Sequence, residues 1–458
     1  MMTRRKEIDM LHGPLAVPII LFAVPLALTG ILQQLFNTTD TLILGQYVGK
    51  EALAAMGNNA PIIGLLVNLF IGLSLGANVV IARSIGSHSL KGATEAVHTS
   101  FLLAIVSGVL IAVLGEIFAI PLLEMLSVPE SVMPQAALYL RIYLVGMPGI
   151  GLYNFASAIY RAHGNTRTPL IALAMASVVN LVFDFVAVFT GFGLAGIVWA
   201  TVLANYLSAA ILFYTLHKAH GILHLIVGAI RWHRPHAREI LRIGIPAGVQ
   251  GMVFSLSNIV IQVAINSLGA DYMAASAAAF TIEINTYSFL IAFGQAVTTF
   301  ISQNYGARKY DRCRSITNKG LAISLVFIFV LSTIVCLASR QILGCFDLAP
   351  DIIEIGHLRI LYIIGFYFLS AFIEVYSGAL RGLGYSLPPA VLMLITICGA
   401  RIVWIYTVFA AIPTYDIIMA SYPLSWTVTA LLLALVYRFY KKNLLCPGDI
   451  RRSAQHKM

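Results

Sequence analysis

Two aspartates stand inside long apolar runs of this chain, Asp40 in FNTTDTLIL and Asp184 in NLVFDFV. Each has an amide within one helical turn: Asn37 lies three residues before Asp40, and Asn180 four residues before Asp184. Thr201, in WATVLANY, adds a hydroxyl. Charged groups inside apolar spans are expensive and mark ion or substrate pathways. Two carboxylates, two amides and a hydroxyl offer only hard oxygen ligands, which suit Na⁺. The same carboxylates, brought close in a low dielectric, equally suit a shared proton. The expected ligand of Asp40, Asn180, Asp184 and Thr201 is therefore a cation, H⁺ or Na⁺, with Asn37 as a polar neighbour. The plainer alternative is a satisfied polar network that only packs its helices. Three further charges lie in apolar runs: Glu283, Glu374 and Arg401. Glu283 and Arg401 suit either contact with a charged substrate or an ion pair with each other. Glu374 is kept as a third candidate of that kind.

The elements around these residues must be membrane helices. The chain is 59% hydrophobic and 10% charged, with a mean hydropathy of +0.88. A soluble domain carries roughly 25% charged residues, so this surface must face lipid over much of its area. At about 20 apolar residues per span, the sequence predicts twelve helices: 14–46, 53–82, 96–119, 132–157, 168–190, 194–217, 240–267, 273–303, 316–339, 354–379, 388–411 and 415–440. Pro18 and Pro25 predict a bend in the first. With both termini inside, 24 of the 29 Lys and Arg residues fall in inner segments; the exceptions are Lys50, Arg141, Arg340, Arg359 and Arg401. Positive charge accumulates on the cytoplasmic side, so an inner (plasma) membrane protein with both termini in the cytoplasm is expected. In this topology Asp40, Asp184 and Thr201 each lie seven residues from an outer end taken at Tyr47, Gly191 and Leu194, about 10 Å deep at 1.5 Å per residue.

The chain also repeats itself. PLALTGILQQLFN (25–37) aligns with PAGVQGMVFSLSN (246–258), and YRAHGNTRTP (160–169) with LRGLGYSLPP (380–389). An even number of helices per half puts both halves in one orientation, related by an axis along the membrane normal. The expected fold is all-α: two six-helix bundles at 1–217 and 240–440, a basic cytoplasmic linker at 218–239 and a cytoplasmic tail at 441–458. The acids are not duplicated, because Asp40 aligns with Ile261 and Asp184 with Trp404.

Other chemistries find little support. The net charge of +10 comes from scattered short clusters, which speaks for membrane orientation and against nucleic acid. The five cysteines have no ligand spacing, and the linker histidines His220, His224, His233 and His236 read as a solvated connector before they read as a metal site. No phosphate-binding GxxxxGK[ST] sequence is present. The stretch MMTRRKEIDMLHG begins like a signal peptide, but the apolar run after it is too long, and a cytoplasmic tail is expected instead. No enzyme activity and no cofactor beyond the coupling ion are implied.

PLALTGILQQLFNTTDTLILGQYVGKEALAAMG, GLSLGANVVIARSIG and RAHGNTRTP resemble the multidrug and toxic compound extrusion (MATE) transporters, and the resemblance covers residues 14–440. It implies two six-helix bundles around a central cavity. It also implies a functional monomer that uses an inward cation gradient to export small organic compounds, chiefly organic cations, across the lipid bilayer. The pattern NLVFDF followed by WATVLANY is similar to members whose cation site lies in the first bundle. There the matching positions are Asp40, Asn180, Asp184 and Thr201, and Asn154 matches a further polar member. A lipid-linked oligosaccharide flippase of similar helix plan is the alternative; it would line its cavity with Arg and Lys, of which only Arg401 is clearly within a span.

Overall fold

The computed structural model describes residues 7–443, except Ser127, His220, Ile222, Leu223, Ile226, Val227, Ala229, Asp347 and Leu348. His220, the basic residues Arg4, Arg5 and Lys6, and the tail from Leu444 onward lie outside the described residues. Within them the chain is helical, with no strand. The helices are α1 (Ala16–Ile43), α2 (Lys50–Gly86), α3 (Leu90–Met125), α4 (Met133–Val145), α5 (Met147–Ala162), α6 (Arg167–Phe189), α7 (Gly193–His217) and α8 (Arg234–Asn266). They continue with α9 (Ala270–Gly306), α10 (Tyr310–Gly344), α11 (Pro350–Ile363), α12 (Tyr367–Gly382), α13 (Leu387–Met393), α14 (Ala400–Trp404) and α15 (Tyr415–Asn443). Among the described residues eleven continuous stretches are long and apolar enough to cross a membrane, and α4 with α5 makes a twelfth if counted as one span. The all-α polytopic fold read from the sequence is the one observed.

Where the helices are irregular, the cause is local. The helix expected at 132–157 bends by 43° between α4 and α5. Gly146 joins the two, and Pro148 follows at the start of α5, where it removes a backbone donor. In contrast, α1 runs through Pro25 without a break in its helical winding; the irregularity comes later, as a π turn at Leu44–Val48. The helix expected at 388–411 is wound as α13, a π turn (Leu394–Gly399), α14 and a second π turn (Ile405–Phe409).

The sequence repeat is a repeat of backbone. Gly164 and Gly384 both adopt φ 89°, just past the ends of α5 and α12. Each closes the same cap: Gly164 N–H donates to the Arg161 carbonyl and Gly384 N–H to the Arg381 carbonyl, both at 2.9 Å. This left-handed position is open to glycine and strained for other residues. His88 and Arg308, at φ 55° and 59°, mark a second matched pair of turns.

Two compact units result. Among the described residues one holds Glu7–Ile8 and Leu28–Met252, the other Asp9–Ala27 and 253–443, so the divisions fall just before α1 and inside α1 and α8. In the first unit α2 meets the first half of α8 along a glycine seam. A Cβ at Gly72 would overlap the Gly248 backbone, and one at Gly76 would overlap the Ile240 carbonyl and Gly244. In the second unit Gly378 of α12 lies against the Gly294 carbonyl of α9 in the same way. Small residues allow such contact where apolar side chains have no water to escape. The segment before α1 is tied down in the second unit by Asn304, Lys309 and Arg312, which donate to carbonyls of Met10, Leu11, His12 and Gly13.

Candidate functional site

The first unit gathers the predicted cation ligands. α6 starts where Asn165 accepts from the backbone N–H groups of Arg167 and Thr168, at 3.1 and 3.0 Å. From there Ala172, Ala176, Asn180, Asp184 and Ala187 fall on one buried face, while Val178, Val182, Phe183 and Phe189 on the other side are exposed. This reverses a soluble amphipathic helix: the polar groups point inward and the apolar ones toward lipid. The small alanines leave room on the buried face for the side chains of α1 and α7.

Asp40, Asn180, Asp184 and Thr201 are all buried, none more than 6% exposed. Thr201 donates its hydroxyl to Asp40 Oδ2 at 2.8 Å. With its amide nitrogen turned toward the acids, Asn180 bridges them, donating to Asp40 Oδ1 and Asp184 Oδ2 at 3.2 Å each. The two carboxyls are near enough to act on each other directly. Two carboxylates that close repel unless a proton or another cation is shared between them. Ile43, Leu44, Ala187, Ile197, Val198 and Val202 belong to the buried apolar cluster around them, so little competing solvent reaches these oxygens.

Two sequence candidates turn their amide groups to other partners. Asn37 is exposed and donates to Gln34 Oε1 at 3.4 Å. At about 100° per residue Asn37 lies about 60° around the helix from Asp40, and in α1 that step leads from the buried side at Asp40 to the exposed side at Asn37. Asn154 is buried but donates to the Ile150 carbonyl of its own helix at 2.9 Å. In turn, two tyrosines that the sequence reading missed are present. Tyr139 and Tyr143 of α4 stack with centroids 6.1 Å apart, and both lie close enough to feel the charge of Asp40. The signal was available: Tyr139 is seven residues from the expected outer end of its span, the same depth as the acids.

The second unit pairs its charges differently from the expectation. Glu283 of α9 is bound by Arg359 of α11, not by Arg401: Arg359 Nε and Nη2 reach the two carboxylate oxygens at 2.6 and 3.0 Å, both residues being 4% exposed. A helix beginning at 354, as the sequence predicts, leaves Arg359 near the outer surface. The helix begins at Pro350, which sinks Arg359 by a turn and brings it to the level of Glu283. The reading that only Arg401 is basic within a span fails with it. Glu374 accepts from the Tyr287 hydroxyl at 2.9 Å and lies 3.8 Å from Arg381. Arg401, 1% exposed, donates through Nε to Ser425 Oγ at 3.2 Å, with its guanidinium 4.1 Å from the Tyr422 ring. In the linker, His233 and His236 lie 3.9 and 3.4 Å from Glu95.

Comparison with known proteins places this arrangement. The chain is 26% identical to the probable multidrug resistance protein YoeA of Bacillus subtilis, over 92% of this chain and 93% of that protein. It is 29% identical to the probable multidrug resistance protein NorM of Thermotoga maritima, over 84% of this chain and 83% of that protein. Among solved structures, an outward-facing multidrug resistance MATE transporter of the MOP superfamily superposes with a TM-score of 0.88, covering 96% of this chain and 99% of that one. At 22% identity this last likeness is one of fold. The MatE family model matches residues 25–186 and again 246–407, beginning each time at the proline that opens the repeat, Pro25 and Pro246. The chain belongs to the MatE family of membrane transporters.

Proposed function

We propose that this chain is a secondary active antiporter in which Asp40 and Asp184, bridged by Asn180 and supported by Thr201, bind the driving cation, and that it exports organic cations. The observation that carries the reading is the buried carboxylate pair in the first unit, held on three helices by side-chain hydrogen bonds and enclosed by apolar residues. Such a pair has too much negative charge for its surroundings until H⁺ or Na⁺ joins it. Occupancy then sets the local structure. With a cation bound, the three helices close on one neutralised centre; without it, repulsion between Asp40 and Asp184 favours their separation. α1 is the element best placed to respond, since the π turn Leu44–Val48 follows Asp40 within a turn and such turns rewind readily. Drug and cation need only favour different conformations. The relatives named as multidrug resistance proteins support the cargo class. The protein works as a monomer in the inner membrane, with its termini and basic linker in the cytoplasm. The flippase reading is weaker, because Arg359 is neutralised by Glu283 and a single uncompensated guanidinium does not make a basic cavity.

Efflux of a lipophilic dye cation from proteoliposomes, with a pH gradient and a Na⁺ gradient imposed separately, tests the reading. Efflux driven by one gradient names the coupling ion. Efflux driven by neither, with protein demonstrably in the vesicles, refutes antiport of this cargo.

A further inference from the structure

We propose that the second unit carries a binding site for an aromatic oxyanion, a carboxylate or phosphate borne on a ring system, with Arg401 as the anion-binding residue. The Arg401 side chain is buried, yet only its Nε has a hydrogen bond, to Ser425. Nη1 and Nη2 are buried and have no acceptor among the described residues. A buried guanidinium left without an acceptor is costly. Among the described residues no acid pairs with it: Glu283 is committed to Arg359, and Glu374 to Tyr287 and Arg381. Two free Nη groups on one planar fork match a carboxylate or phosphate, which takes paired N–H donors.

The surroundings point to a ring on that anion. Arg401 stacks under Tyr422, whose ring also meets Trp426 at 5.7 Å, and Trp426 in turn meets Tyr367 at 5.8 Å. Tyr287 extends the aromatic run, 5.7 Å from Tyr367. Flat rings of this kind bury a planar ligand and leave a few polar groups to orient it. The backbone supplies a separate observation. α14, which carries Arg401, is five residues long and is flanked by a π turn on each side. π turns inside helices gather at functional sites, because the extra residue redirects a side chain and the winding can be reset.

The repeat gives the same answer. In the register of the Gly164 and Gly384 turns, Ala400 and Trp404 stand where Asn180 and Asp184 stand in the first unit, and Ser421 stands at Thr201. Arg401 follows the first of these positions directly. The acid of the first copy is thus not repeated in the second, where Trp404 stands at its place and a base lies one residue from the counterpart of Asn180.

The test is isothermal titration calorimetry on the full chain in detergent, with no ion gradient, using 1-naphthoate, 1-naphthyl phosphate and 1-naphthol. The three share a ring system and differ in the oxyanion. At least one anion is expected to bind about tenfold or more tightly than naphthol, as a charge-assisted pair of hydrogen bonds would give. Arg401→Gln should weaken that anion by about tenfold or more and leave naphthol unchanged; Arg401→Lys should fall between. Binding of naphthoate alone assigns a carboxylate, and of naphthyl phosphate alone a phosphate. The proposal is overturned if neither anion binds more tightly than naphthol, or if Arg401→Gln keeps full anion affinity. Should Arg401→Gln yield no folded protein, the wild-type ratio of anion to naphthol decides by itself. Because no gradient is applied, these isotherms stand apart from the antiport reading: a chain that exports dye cations but prefers no naphthyl anion loses this site only.

Discussion

Thr201 on α7 donates its hydroxyl to Asp40 on α1 across 2.8 Å, joining residues 161 positions apart in the chain. That bond fixes one carboxylate oxygen while Asn180 addresses the other. Hydrogen bonds to charged groups contribute about 1.5–3 kcal/mol. Thr201→Val keeps the shape and removes the donor, so the cation concentration for half-maximal efflux should rise about tenfold or more. Thr201→Ser should recover most of the loss. An unchanged ion dependence in Thr201→Val would remove the hydroxyl from the cation site.

Neutral replacement of the acids separates binding from coupling. Asp40→Asn and Asp184→Asn preserve volume but remove the charge that the cation recognises. Each variant should reduce gradient-driven efflux to the level of protein-free vesicles and leave dye binding to solubilised protein within about twofold, since cation and drug act through conformation. Wild-type efflux in either variant would exclude that carboxylate from coupling.

The Glu283–Arg359 pair is buried and bidentate. Removing one partner strands a charge, which costs about 3–5 kcal/mol. Arg359→Gln should therefore lower the unfolding temperature sharply, and adding Glu283→Gln should restore part of it. Equal and additive losses in a thermal-unfolding cycle would show that the pair has no mutual role.

Two left-handed glycines distinguish backbone strain from collision. Gly191 (φ 77°) has nothing near its Cβ direction, whereas a Cβ at Gly164 (φ 89°) would meet the Ile8 carbonyl at 2.8 Å. Gly191→Ala should cost about 1–2 kcal/mol from conformation alone, and Gly164→Ala distinctly more. Similar unfolding temperatures for the two variants would mean that the segment at Ile8 yields freely.

Much of this was legible in the sequence, for identifiable reasons. Lipid leaves few ways to satisfy a backbone, so hydropathy reveals the helices. The cost of an intramembrane charge makes Asp40 and Asp184 conspicuous, and counting residues from helix ends put Thr201 at their depth. What escaped depended on helix ends and winding. An error of four residues in the start of α11 hid the partner of Glu283. Asn37 fell outside the site because the buried strip of α1 is narrow there: Asp40 is buried while Asn37, on a neighbouring line of the same helix, is exposed. The π turns beside Arg401 left no mark in composition, since their residues are as apolar as those of any span.

The glycine seam between α2 and the first half of α8 also bears on how this chain can change over generations. Because a Cβ at Gly72 would strike the Gly248 backbone, one at Gly76 the backbone of Ile240 and Gly244, and one at Gly244 the backbone of Leu73, a methyl group at any of the three is barred by the facing helix. Neither helix can acquire bulk there one substitution at a time, and the repair would have to be a shift of the whole helix axis. The lipid-facing leucines and valines of α3 and α10 have no such partner and can drift among apolar residues at little cost. Descent should therefore erode the outer faces of this protein quickly while its internal glycine contacts stay almost still.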